Sequence, residues 1–295
     1  MPIVTLSDLQ QREFPNPYRS SNTQRMNVFG HTVDFDTPKE HDKKTLFTIF
    51  SVLFVLALVI LSLFRAGLFS QLLENSEFLL NGIVIMYTLL SISGFILFKH
   101  YNLQSKDISA GPKEDVVDAL TVYGVIYTFV NLIGLLLPTQ APLFWSSPLI
   151  SKFGLYFGYL LKSVFEGFVY RGFFNIQILK HSFRKYGQSP KGYYLGLLFG
   201  HLVYTVANIP FLFLEFDLSF LVLAFLIYFL STIYLVFIHM ITGNVYVSIA
   251  MQMLYTVPAT LTTDDNTARI PLFICLIGIM FGWRYLPFVN RRNTT

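Results

Sequence analysis

Lys162, Glu166, Arg171 and His201 are ionisable side chains set inside long apolar runs of a 295-residue chain. Charge is expensive away from water, so an ionisable residue in such a run marks a candidate site. Lys162, Glu166 and Arg171 share one run, His201 lies in the next, and Gln252 and Thr256 add polar groups in a later one. Asn131 and Asn208 are weaker candidates of the same kind. A carboxylate and an imidazole shielded from lipid form a pair that can activate water. The carboxylate is then the general base, and the imidazole orients the water or steadies charge. Metal ligation is a second use of Glu166 with His201, but no third protein ligand is evident. The set implies no cofactor.

At a rise of about 1.5 Å per residue, Glu166 lies about 18 Å from the end of its run near 178. On the same scale His201 lies about 13 Å inside the run that starts near 192, and Gln252 about 12 Å inside the run that starts near 244. These depths place all three within reach of one mid-membrane cavity. Simpler readings compete. Lys162 is four residues before Glu166, on the same helix face, where the two would neutralise each other as a structural ion pair. Arg171 can snorkel or bond backbone carbonyls. His201, Gln252 and Thr256 are residue types that commonly join helices. The 31 phenylalanines and 17 tyrosines read mostly as lipid-facing or packing residues.

The elements that carry these residues follow from composition. Hydrophobic residues make up 54% of the chain and charged ones only 13%, against roughly 25% charged in ordinary soluble domains. Soluble enzyme folds are thereby mostly excluded. Apolar runs at 45–64, 78–98, 116–138, 152–178, 192–214, 217–240, 244–261 and 270–286 predict an all-α polytopic membrane protein of about eight transmembrane helices. The run at 244–261 is short and ends near Pro258, which suggests a partly re-entrant segment. The runs lack the alternation of a barrel. Residues 1–44 read as a polar, loosely ordered cytoplasmic tail, 45–286 as the membrane domain and 287–295 as a basic end. The single cysteine, Cys275, excludes an intramolecular disulfide.

Basic residues set the orientation. Arg12, Arg19, Arg25, Lys39, Lys43 and Lys44 lie in the tail, and Lys99, Lys106 and Lys113 follow the second run. Lys180, Arg184, Lys185 and Lys191 follow the fourth, and Arg284, Arg291 and Arg292 lie at the C-terminal end. Only Arg65, Lys152 and Arg269 fall on the opposite side. Both termini are therefore expected in the cytoplasm, as an even number of spans requires. The net charge of +4 reflects these loops rather than nucleic-acid binding. No Gly-rich phosphate loop, zinc-finger spacing or H-E-x-x-H helix is present.

The string SVFEGFVYRGFF at 163–174 resembles the first motif of the CAAX-processing and bacteriocin-processing (CPBP, Abi-type) intramembrane proteases. That motif reads E-E-x-x-x-R followed by Gly. Glu166 matches the first Glu, Arg171 the Arg and Gly172 the Gly, whereas Gly167 replaces the second Glu. GLLFGHLVY at 196–204 resembles the second motif, F-x-x-x-H, with His201 in the histidine position and Leu197 where the Phe belongs. ITGNVYVSIAMQMLYTV at 241–257 resembles the third: Thr242, Gly243 and Asn244 fit its opening turn, while Gln252 and Thr256 occupy the His and Asn positions. The resemblance covers about 150–260.

It implies Glu166 as the base that activates water, His201 as the group that positions it and Arg171 as an orienting residue. Gln252 and Thr256 take the place of the pair that stabilises the oxyanion, and Lys162 is a possible modulator. The implied activity is cleavage of membrane-associated peptides or proteins, of the CAAX or bacteriocin-related kind, in the cell membrane. The departures at Gly167, Gln252 and Thr256 support an alternative. It is a catalytically impaired member acting on another membrane protein as scaffold, regulator or bacteriocin-immunity protein. An active enzyme predicts Glu166 and His201 facing a common cavity; the impaired member predicts a Lys162–Glu166 contact that fills it. A transporter or channel would need a continuous polar path, and four of the eight runs carry no charged residue.

Overall fold

A computed structural model describes residues 23–28, 31–36, 41–69, 82–103, 113–136, 149–187, 189–215 and 218–256, with isolated positions at 76, 274–275, 277–279 and 282. The expected end of the seventh run beyond 256, most of the eighth and the basic end lie outside the described residues.

Within the polar tail, β1 (Thr23–Val28) pairs antiparallel with β2 (His31–Asp36), in a register that sets Thr23 opposite Asp36 and Val28 opposite His31. The expected loosely ordered tail therefore carries a hairpin. Every further element among the described residues is helical. The helices are α1 (Lys43–Arg65), α2 (Ile83–His100), α3 (Lys113–Leu136), α4 (Leu149–Glu166), α5 (Asn175–Tyr186), α6 (Pro190–Ala207), α7 (Ile209–Glu215), α8 (Leu221–Thr242) and α9 (Val245–Thr256). A π-helical segment, Gly167–Phe174, joins α4 to α5 without a break, so the fourth run continues well past 178.

Four of these helices, α1, α2, α3 and α8, are long and apolar enough to cross a membrane, against the eight spans expected. Their outer faces are apolar and uncovered. Phe47 on α1, Phe95 on α2, Leu120 on α3 and Leu230 on α8 are each at least 65% exposed. Such a surface is stable against lipid and unstable against water. The polar side chains are inside instead. Glu166, Arg171, Asn175, Gln177, His201, Asn244 and Gln252 are all buried.

Local sequence explains the joints. Asp42 caps α1 by accepting from the Thr45 N–H at 3.3 Å, and Ser189 caps α6 at Gly192 N–H, with Pro190 in the first turn. The T-G-N turn between α8 and α9 works in the same way. Gly243 ends α8 in the left-handed region at φ 63°, where a Cβ would be strained. Asn244 Oδ1 then accepts from the N–H groups of Tyr246 and Val247, and its Nδ2 donates to the Asp115 carbonyl at 2.9 Å. Asn244→Ala removes the cap and the tie to α3, and is expected to cost about 1–2 kcal/mol, readable as a lower thermal midpoint.

Small residues let the inner helices approach closely. A Cβ on Gly200 of α6 would fall 2.0 Å from Asn175 Oδ1 and 3.0 Å from Asn175 Cα. Gly200→Ala is therefore expected to destabilise by about 1–3 kcal/mol through overpacking. A melting point within error of wild type would contradict this packing.

Candidate functional site

Glu166 is the last residue of α4, and the π segment begins immediately after it. The Asn175 N–H reaches back to the Tyr170 carbonyl, five residues earlier. That wider turn is rare; it occurs mostly as short insertions within α-helices, frequently at functional sites. Here it covers the string that separates Glu166 from Arg171.

Three donors from three other helices meet the Glu166 carboxylate. Tyr87 of α2 donates its hydroxyl to Oε1 at 3.0 Å. Tyr204 of α6 donates to Oε2 at 2.9 Å, and Gln252 of α9 donates its Nε2 to the same oxygen. On its other side the Gln252 Oε1 accepts from Arg171 Nη2. The amide thus bridges carboxylate and guanidinium, and its orientation follows from chemistry: oxygen faces the cation, nitrogen faces the acceptor. Arg171 also donates to the Ser163 carbonyl at 3.4 Å and lies over the Tyr204 ring, 5.8 Å from its centroid. Its Nε and Nη1 have no partner among the described residues.

A second chain of hydroxyls leads away from the carboxylate. Tyr204 and Tyr228 of α8 are 2.7 Å apart, oxygen to oxygen. Tyr204 gives its only O–H hydrogen to Glu166, so Tyr228 is the donor in this pair. Both tyrosines, with Gln252, Thr256 and Lys162, line a cavity of about 450 Å³. Its α8 wall includes Leu223 and Ile227, each more than half exposed, so the cavity borders the lipid-facing surface. Glu166 lies behind the wall formed by Tyr204 and Gln252 and is 1% exposed.

The remaining candidates are placed differently. His201 is buried, but its Nε2 donates to the Phe229 carbonyl of α8 at 2.8 Å, and Nδ1 has no partner among the described residues. Its ring touches Tyr204, centroid to centroid 5.7 Å, so Tyr204 stands between His201 and the carboxylate. The Thr256 hydroxyl donates to the Gln252 carbonyl of its own helix at 2.8 Å. Lys162 forms no ion pair with Glu166. Its ammonium lies 6.0 Å from the Tyr87 ring centroid. Asn208, at the C-terminal cap of α6, donates to the Tyr204 carbonyl, and Asn131 donates to the Tyr127 carbonyl within α3. Among the described residues no three His, Cys, Asp or Glu side chains gather as a metal site.

Gly167, where the resembled motif has its second Glu, is a packing position. A Cβ there would fall 2.3 Å from Ile249 Cγ1 of α9. A glutamate at 167 would push α9 outward and with it Gln252.

Tyr87, Tyr204 and Tyr228 are the functional candidates that the sequence reading passed over. The available signal was spacing for Tyr204, three residues after His201 and on the same face. For the other two it was only the general rule that a buried phenol needs a partner. No family model, curated protein or solved structure matches the chain, so the resemblance rests on the three segments themselves.

Proposed function

We propose that this protein is a glutamate-dependent intramembrane endopeptidase of the CPBP type. In this reading it crosses the cell membrane about eight times, keeps both termini in the cytoplasm and cleaves a membrane-associated peptide. The observation that carries the reading is convergence. Glu166 of α4, Tyr204 of α6 and Gln252 of α9, from the three helices that bear the motif-like segments, meet at one buried carboxylate beside a 450 Å³ cavity.

The chemistry follows from the roles these groups can take. Glu166 accepts a proton as the water oxygen attacks the scissile carbonyl carbon, and returns it to the leaving amine as the C–N bond breaks. Tyr204 and Gln252 are the donors next to that carbonyl's developing negative charge. Arg171, by holding Gln252 Oε1, keeps the amide N–H groups turned toward Glu166. Water reaches Glu166 from the cavity when Tyr204 or Gln252 turns aside, so the arrangement described is a closed resting state.

The test is peptide profiling of membranes containing wild type or Glu166→Gln at matched expression. Cleavage products present in wild type and absent in the variant are expected, and they would identify the substrate together with the activity. Identical profiles would overturn the enzymatic reading.

One observation favours a second reading, the non-catalytic partner of another membrane protein. Both carboxylate oxygens of Glu166 are already taken by protein donors, as in a buried polar clasp whose task is to hold helices together. That reading expects any cellular phenotype to survive Glu166→Gln.

A further inference from the structure

The carboxylate lies nearer one end of the helix bundle than the other, and contacts between helix ends identify which. His181 of α5 donates to the His41 carbonyl just before α1 at 3.0 Å, and Ser182 Oγ donates to the Gly192 carbonyl of α6 at 2.6 Å. Phe98, near the end of α2, packs on Phe173, which in turn meets the His41 ring. Met240 in the last turn of α8 packs with Ile176 and Leu179 of α5 and Leu197 of α6. The α8–α9 turn is tied to the start of α3 through Asn244 and the Asp115 carbonyl. Lys43, Lys99, Lys113, Arg184 and Lys191 thus mark one and the same end.

The groups around Glu166 lie toward the other. Along the helix axes Tyr87 is about 18 Å from Lys99 and about 6 Å from Ile83, while Tyr204 is about 20 Å from Lys191 and about 4.5 Å from Ala207. Tyr228 is about 21 Å from Thr242 and about 10 Å from Leu221. In a hydrocarbon layer about 30 Å thick, these hydroxyls stand beyond the midplane as seen from the basic end. The cavity shares that half. Leu212 of α7 and Phe220 at the start of α8 line it, and Phe220, Leu223 and Ile227 are each more than half exposed. Toward the basic end the interior is filled: Arg171, Phe173, Gln177 and Met240 are each at most 1% exposed.

We propose that the cavity receives an extended peptide segment laterally from the non-cytoplasmic leaflet, rather than a tail offered from the cytoplasm. The proposal rests on the peptidase reading for the class of substrate, and on the basic ends facing the cytoplasm for its side. The chemistry of the walls suits an unwound peptide. Ser231 and Thr232 both donate to the Tyr228 carbonyl, and Thr256 donates to the Gln252 carbonyl. Each of these cavity-lining hydroxyls has committed its hydrogen, so toward a ligand it acts only as an acceptor. An unwound peptide in lipid carries N–H donors that need such acceptors, and an acyl ester carries none. Leu212, Leu223, Ile227 and Leu235 face the apolar side chains of the same segment.

The test uses the full chain, with Cys275→Ser as background, in right-side-out membrane vesicles. A membrane-impermeant maleimide is expected to label Phe220→Cys from outside, and Lys185→Cys only after permeabilisation. The reverse pattern would overturn the proposal. A photoreactive phenylalanine analogue at Leu223 is then offered two single-span reporter peptides, identical except that a Gly-Pro break unwinds the outer or the inner third of the span. Capture of the outer-break reporter is expected to exceed that of the inner-break one by about tenfold or more. The same analogue at Tyr194 of α6, exposed near the basic end, is expected to show no such preference. Ser231→Ala with Thr256→Val is expected to lower capture at Leu223 by roughly tenfold. Capture without cleavage would set aside the peptidase reading and leave the side of entry standing. Equal capture of both reporters, capture of neither, or a preference for the inner break would overturn the proposal.

Discussion

Arg171→Met is expected to lower stability by about 3–5 kcal/mol, the range for removing one partner of a buried charged pair. Arg171 is 1% exposed, and its guanidinium is the cation joined to Glu166 through the Gln252 amide. Methionine fills much of the volume but leaves the Gln252 carbonyl without its donor. It also takes from the buried carboxylate the guanidinium that reaches it through Gln252. Arg171→Lys should fall between the two, since an ammonium keeps the charge and loses the planar fork. Thermal melting in a fixed lipid or detergent reads the difference. A methionine variant that melts within about 1 kcal/mol of wild type would remove Arg171 from the electrostatic core of the site.

The second large effect is on rate. Glu166→Gln should lower peptide cleavage by roughly 10²–10⁴, the usual contribution of a positioned general base, while the side-chain shape is kept. Glu166→Ala adds a stability loss, because the Tyr87 hydroxyl, the Tyr204 hydroxyl and the Gln252 amide are then buried donors without an acceptor. Each such group costs about 1–3 kcal/mol. Measuring product release and melting on both variants separates chemistry from scaffold. A glutamine variant with wild-type cleavage would exclude Glu166 as the base. The Arg171→Met and Glu166→Gln pair should also be non-additive in stability by about 0.5–3 kcal/mol, since both act on Gln252.

Much of the site could be read because charge in an apolar run is rare. Glu166 and Arg171 stood out on that ground alone, and Gln252 followed from its place in the ITGN-containing segment. All three meet in one hydrogen-bonded chain. The tyrosines could not be read in the same way. A Tyr in an apolar run is equally at home as a lipid-facing or packing ring, so nothing in the one-dimensional pattern separates Tyr87 from the others. His201 illustrates the opposite difficulty. It drew attention as a rare residue type, yet its Nε2 is committed to the Phe229 carbonyl. The Thr256 hydroxyl and the Asn208 amide N–H group each donate to a carbonyl four residues back in the chain.

The chain's apolar content and its scarcity of charge determined by themselves that this is a helical protein with faces suited to lipid. Backbone in lipid satisfies its polar groups only in a helix or a closed barrel, and the runs lack a barrel's alternation. Capping residues such as Asp42, Ser189 and Asn244 determined where helices begin, because a cap is a contact between residues two or three apart. Tertiary structure alone decided which oxygen of Glu166 meets which hydroxyl, that Gln252 bridges it to Arg171, and that Gly167 leaves room only for Ile249. Those contacts join residues 38 to 86 positions apart. They depend on how closely helices pack and how each is rotated about its axis, and neither quantity is carried by the period or composition of any one run.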